Sequence, residues 1–285
     1  MSPFILYADS DNGPYPRVFA LALAFSGFMF FVVERSGNGL QYSKFVSPSN
    51  RVLKLGGRIG FVILYLPSCI AALLFLAQKL GYLDLVLVLN RIGLQGWAHH
   101  ELGEHTGLNL RLLAVTLALA IHFGKRVLEV IFLHRFSGKI DAGTCIFISL
   151  SYLVVTVHIL YAQELCQSLD DPSTSLFWLG LALFLLGICG NFYHHYLLAN
   201  LRKDGQNAYM IPHGGLFEQV ACPHYLFEII DFWGIALLGQ TMIALSVAVF
   251  VSLYLTSRSL STKEWYLKKM DGFPSERKAL IPFLL

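Results

Sequence analysis

Apolar stretches near the roughly 20 residues that span a bilayer recur at about 18–33, 59–77, 108–133, 142–162 and 176–198. Two shorter ones follow at about 224–240 and 241–257. Together they predict seven transmembrane helices. The run at 80–107 fits less well: LDLVLVLN is apolar but short, and Asn90 and Arg91 point to an interfacial or re-entrant segment. The pattern breaks most sharply at Tyr209–Asp231, YMIPHGGLFEQVACPHYLFEIID. Gly214-Gly215, Pro212 and Pro223 stop a helix and force a compact loop there. After Pro223 the chain turns helical again, with Tyr225, Glu228 and Asp231 spaced to share one face.

Composition agrees with the pattern. Only 14% of the 285 residues are charged, against about 25% in soluble domains, so the expectation is an all-α polytopic membrane bundle. No polar block is long enough for a core of its own, and residues 1–285 read as one integral-membrane domain. The first residues lack a basic n-region and a small-residue cleavage site, so no removable signal peptide is expected. A formal charge of +3 gives nucleic acid no purchase. None of the five cysteines is spaced as CxxC, and four lie in or beside apolar segments, as packed thiols do. With seven spans and the C-terminus in the cytosol, fifteen Lys and Arg fall on the cytosolic side and four on the lumenal side. By the positive-inside rule the N-terminus is lumenal and the 209–231 loop is cytosolic.

Ionisable groups in membrane helices usually pair or line a cavity. Three helices carry them near their cytosolic ends: His122, Lys125, Arg126 and Glu129; then Asn191, His195 and Arg202, beside His194; then Tyr225, Glu228 and Asp231. Each residue alone is explained by an interhelical salt bridge. Three coincident stripes point instead to a shared hydrophilic pocket. Metal is not expected: the doublets His99-His100 and His194-His195 lack a histidine three residues earlier, and HELGEH (100–105) misses HExxH. No GxGxxG follows a strand, which excludes a Rossmann site. A phosphate-bearing cofactor could use the Gly214-Gly215 amides with Arg202, Lys203, Arg258, Arg277 and Lys278, although retention of the last helix explains the final cations equally well.

Four ordered runs carry a resemblance: GNFYHHYLLANLRK (190–203), YMIPHGGLFE (209–218), CPHYLFEIID (222–231) and WYLKKMDGFPSERKALIPFLL (265–285). They resemble the steroid 5α-reductase family, which includes steroid reductases, trans-2-enoyl-CoA reductases and polyprenol reductase. The likeness is strong over the C-terminal third and continues weakly back to about residue 58. It implies a seven-helix bundle of the endoplasmic reticulum membrane that binds NADPH from the cytosol, mostly through about 135–285. The implied cofactor positions are Asn191, His195, Arg202, Tyr209, His224, Glu228, Arg258, Tyr266 and Arg277. The implied chemistry is reduction of a C=C conjugated to a carbonyl in a hydrophobic lipid, a 3-oxo-Δ4-steroid or a trans-2-enoyl-CoA. The second substrate class implies partners in fatty acid elongation.

An acid must meet the charge that builds on the carbonyl oxygen. Steroid reductases use a glutamate on the second helix and a tyrosine on the third; here Tyr65 and Phe123 stand at those positions. Tyr65 and Tyr225 remain as hydroxyl donors, with His122 as a further candidate. CPHY and KRVLEVIFLHRFSG (125–138) lean toward the enoyl-CoA branch. Two other classes compete. A membrane methyltransferase of the isoprenylcysteine or phospholipid type would carry a glutamate pair on the last helix, where this chain has only Glu264. A non-catalytic lipid-binding relative would have little use for so many cofactor positions.

Overall fold

The computed structural model describes residues 15–37, 39–40, 45, 53–84, 109–136, 138–167, 172, 174–201 and 210–285. Each predicted apolar stretch forms a helix: α1 (Tyr15–Arg35), α2 (Gly57–Lys79), α3 (Leu110–Leu128), α4 (Ala142–Leu165), α5 (Phe177–Asn200), α6 (Pro223–Gly239) and α7 (Met242–Lys269). Five are long and apolar enough to cross a membrane by themselves. The other two are α3, which carries Arg111, Lys125 and Arg126, and α6, which has 17 residues. Both lie against other helices, so protein covers what lipid would not accept.

Local chemistry sets the helix starts. Asn109 Oδ1 accepts from the Arg111 and Leu112 amides and caps α3, and Asp141 caps α4 through the Thr144 amide. Pro223 opens α6, where its missing N–H costs nothing. α3 runs on through a π-turn, Glu129–Leu133, a widening that redirects side chains and recurs at functional sites. A short antiparallel pair, β1 (Lys54–Gly56) with β2 (Lys139–Asp141), departs from the all-α expectation. Three residues per strand leave no alternating pattern to detect.

The closest packing is α5 on α6, then α1 on α7 and α2 on α3 and α4. A Cβ on Gly187 would sit 2.4 Å from the Asp231 amide nitrogen, and one on Gly234 2.3 Å from that of Phe184. Glycine lets these two backbones touch, as membrane helix pairs require. One end of the bundle is sealed by buried polar contacts. Lys79 pairs with Glu164 at 2.5 Å, Arg111 Nη1 donates to Leu238 O at 2.7 Å, and Gln163 donates to Gly239 O. At the other end the C-terminal segment zips onto the 219–222 loop, where the Ala221 and Cys222 amides donate to Lys278 and Ala279 carbonyls. Most of 80–107, including His99, His100 and His105, lies outside the described residues.

Candidate functional site

A polar cavity of about 270 Å³ opens at the loop end, walled by α2, Arg126 of α3, the loop after the π-turn, Tyr152 of α4, α5, α6 and α7. Tyr65, Arg126, His195, His224, Tyr225, Glu228 and Tyr266 all line it. The three helices expected to share a hydrophilic pocket do share one. Lys125 Nζ reaches Glu129 Oε1 at 3.1 Å and also donates to Asn191 Oδ1. Asn191 Nδ2 donates to His224 O at 2.8 Å and to Glu228 Oε2 at 3.4 Å. Arg126 Nη1 donates to Glu129 Oε2 at 3.0 Å, and Arg126 Nη2 to the Tyr65 hydroxyl at 2.6 Å. One continuous network thus joins α2, α3, α5 and α6.

His195 lies 2.9 Å from Glu129 Oε2 through Nδ1. A carboxylate can only accept, so Nδ1–H donates to Glu129, and Nε2 is left to accept from Arg126 at 3.2 Å. His134, just past the π-turn, sets its ring edge-on to His195 at 4.9 Å. Burial, then Arg126, push its imidazole down to about 3, so it is neutral at physiological pH. Glu129, His134 and His195 bring metal-ligating atoms within 4.8 Å of one another. Arg126 Nη1 already bonds two of them, Glu129 and His195.

A second cavity of about 380 Å³ is apolar and lies between α1, α4, α6 and α7, with Phe19, Phe30, Phe147, Phe232 and Val247 among its walls. Tyr152, Glu228, Tyr254 and Leu255 line both spaces. Those four residues mark where the polar and apolar chambers meet. Tyr152 stacks against Tyr65, with centroids 5.8 Å apart.

The remaining predicted residues take other places. His122 is buried between α3 and α6, its Nδ1 2.5 Å from Asp231 Oδ2, and does not line the polar cavity. Phe123, against Tyr152, carries no polar group into either space. Arg258 is 1% exposed, paired with Glu34 at 2.7 Å and laid 3.9 Å over the Phe45 ring. It faces a separate space of about 240 Å³ between α1 and α7. Arg277 donates to Pro212 O at 2.7 Å and to Glu218 Oε2 at 3.2 Å, pinning the Gly214-Gly215 loop to the C-terminal segment. The Gly214 amide donates to Glu218 Oε1 and, with Arg277, holds that exposed carboxyl below its usual range. Gly214 and Gly215 have φ of +85° and +53° and pack on Leu197 and His194. Tyr266 stacks on Phe273 at 5.0 Å. Arg202 and Tyr209 lie outside the described residues.

Residues 137–285 match the family described as 3-oxo-5-alpha-steroid 4-dehydrogenase. The chain belongs to the steroid 5α-reductase family. It is 34% identical over 181 residues to human 3-oxo-5-alpha-steroid 4-dehydrogenase 1, covering 62% of this chain and 68% of the human protein. Against human 3-oxo-5-alpha-steroid 4-dehydrogenase 2 the identity is 43% over 108 residues, or 38% and 42% of the two chains. Steroid 5-alpha-reductase DET2 of Gossypium hirsutum is 37% identical over 120 residues, or 40% and 46%. The family match takes in α4 to α7. The opposite wall of the polar cavity, with Tyr65 and Arg126, precedes the matched segment.

Tyr152, Tyr254 and Cys222, which line the cavity, were not among the expected site residues, whereas Lys125, Arg126 and Glu129, which organise it, were expected in the shared pocket without a role of their own. The last three were visible as a stripe at i, i+1 and i+4 on one helix. The first three carry no signal in an apolar or aromatic run.

Proposed function

We propose that the protein is an NADPH-dependent reductase of a lipid C=C bond conjugated to a carbonyl, in a 3-oxo-Δ4-steroid or a trans-2-enoyl-CoA. One observation carries the reading: a polar, cation-lined cavity and an apolar chamber share a wall at Glu228, Tyr152, Tyr254 and Leu255. A charged cofactor and a hydrophobic substrate need such adjoining spaces. The residues present fit the cofactor. Arg135 and Lys139 line the polar cavity and suit phosphates, while Glu228, braced by the buried Asn191, suits a carboxamide or ribose hydroxyl. When bound, the reduced nicotinamide supplies the hydride that the conjugated bond takes up at its β-carbon. The protein's part is to orient both ligands, keep lipid and water apart, and deliver a proton from Tyr65 or Tyr225. His195, His224 and Tyr266 would add cofactor contacts from the cavity wall, whereas Arg258 and Arg277 are engaged by Glu34 and Glu218 away from it.

Charge asymmetry supports a cytosolic face for the loop end and a lumenal N-terminus in the endoplasmic reticulum membrane. The test is a screen of the purified protein in detergent. NADPH at about 100 times its dissociation constant should stabilise the fold by about 2.7 kcal/mol, and NADPH should be oxidised only when an enoyl-CoA, a Δ4-3-oxo-steroid or a polyprenal is supplied. Stabilisation by S-adenosylmethionine and not by NADPH would replace the reductase with a methyltransferase.

A further inference from the structure

We propose that Tyr65 is the proton donor of the reaction and that Arg126 is its positioning residue, anchored by Glu129 and His195. This rests on the reductase reading and goes beyond it by choosing between two tyrosines in one cavity.

Hydrogen-bond direction singles out Tyr65. A guanidinium has five N–H donors and no acceptor. In the 2.6 Å contact Arg126 Nη2 therefore donates and the Tyr65 oxygen accepts. The phenol keeps its own proton as the hydrogen it can give, and the oxygen that must carry negative charge afterwards already touches a cation. The ring is held in place as well. It stacks on Tyr152 at 5.8 Å and Phe61 at 6.4 Å, with the Arg126 guanidinium carbon 4.7 Å from its centroid. Arg126 is fixed in turn, because its Nη1 bonds Glu129 Oε2 and His195, and Glu129 is also tied to Lys125.

Hydride arrives at the β-carbon, the C=C electron pair moves toward the carbonyl, and negative charge collects on the carbonyl oxygen. The Tyr65 O–H bond breaks, its proton forms an O–H bond on the carbonyl oxygen to give an enol, and its electron pair stays on the phenolate oxygen facing Arg126. The carbonyl re-forms as the α-carbon takes a proton from water and the enol oxygen gives one back. A proton from water then restores the phenol. The net change is one hydride and one proton added across the double bond.

The test is a double-mutant cycle on the full chain in detergent, with cofactor and substrate affinities measured alongside turnover. Y65F should lower kcat by about 100-fold, the usual contribution of a positioned acid, with KM and NADPH affinity little changed. R126Q should lower kcat by about tenfold in the parent and have no further effect in the Y65F background. R126K, which restores the charge, should recover part of the loss. A near-ultraviolet difference spectrum of R126Q against the parent should show a tyrosine band that vanishes in the Y65F background. Because R126Q frees a buried carboxylate and risks misfolding, Y65F, which keeps the ring, stands as the independent arm. Y65F with full kcat, or with Y225F alone abolishing turnover, overturns the proposal. So does an R126Q loss that is equal in both backgrounds. A parent protein inactive on every substrate, yet showing the Tyr65-dependent band, would keep the contact and overturn the reductase reading and this role with it.

Discussion

At the scale of single residues, buried ion pairs in the bundle have different jobs. Lys79 and Glu164, 5% and 3% exposed at the sealed end, are remote from both chambers and serve stability alone. Lys79→Met strands a carboxylate where water does not reach, and should cost about 3–5 kcal/mol. Lys79→Met combined with Glu164→Gln should recover most of it. Thermal unfolding in detergent reads both, and kcat per folded molecule should stay constant. Arg126 lines the polar cavity and Glu129, itself tied to Lys125, holds it there, so changing these three should alter turnover first. The sequence separated these cases only partly. The i, i+3/i+4 stripe on α3 announced that charges would cluster, and that was legible. The partner of His122 was not: whether it meets Asp231 or the cavity depends on how α3 is rotated against α6, which a tolerant apolar run leaves open. Arg258 and Arg277 were equally opaque, since a cation in a membrane protein can hold a phosphate or a carboxylate, and here Glu34 and Glu218 are the neighbours.

Elements were easier to read, because hydrophobic length alone set them. All seven apolar stretches became helices, whereas the π-turn and the β1–β2 pair, each a few residues long, left no periodic trace. What length could not foretell is how closely two helices lie. Gly187 faces the Asp231 backbone at a distance no Cβ tolerates, so Gly187→Ala should push α5 off α6 at a cost of about 1–3 kcal/mol, seen as a lower Tm. The loop before α6 makes a second point. Glu218 is held by the Gly214 amide and Arg277, and its carboxyl lies below the usual range. A depressed carboxylate gives stability that is fully present above its unfolded pKa, about 4.3, and is lost as pH falls through the folded value. Hydrogen exchange at the Gly214 amide should therefore accelerate, relative to neighbouring amides, on acidification through that window. In Glu218→Gln the pH dependence should disappear. Acid-independent exchange in the parent would mean that Arg277 holds the loop unaided.

Over the whole molecule, the helices divide labour by what they shut out. α2, α3, α5 and the loop after the π-turn bring polar and charged groups to the polar chamber, α1 brings aromatic and aliphatic walls to the apolar one, and α4, α6 and α7 face both. Glu228, 6% exposed, is the one carboxylate common to the two linings among the described residues. An apolar space of about 380 Å³ beside it has no use in a protein that binds only a nucleotide. If lipid occupies that chamber while the cofactor occupies the other, filling one should leave the other intact. Val155 on α4 lines the apolar chamber and not the polar one. Val155→Trp should thus raise KM for the lipid severalfold and leave NADPH affinity, measured by fluorescence titration, at the parent value. That pattern is the signature of lost substrate binding without loss of the cofactor site. An equal fall in both affinities would instead mean that the two ligands share one space, and the wall formed by Tyr152, Tyr254 and Leu255 would no longer separate their sites.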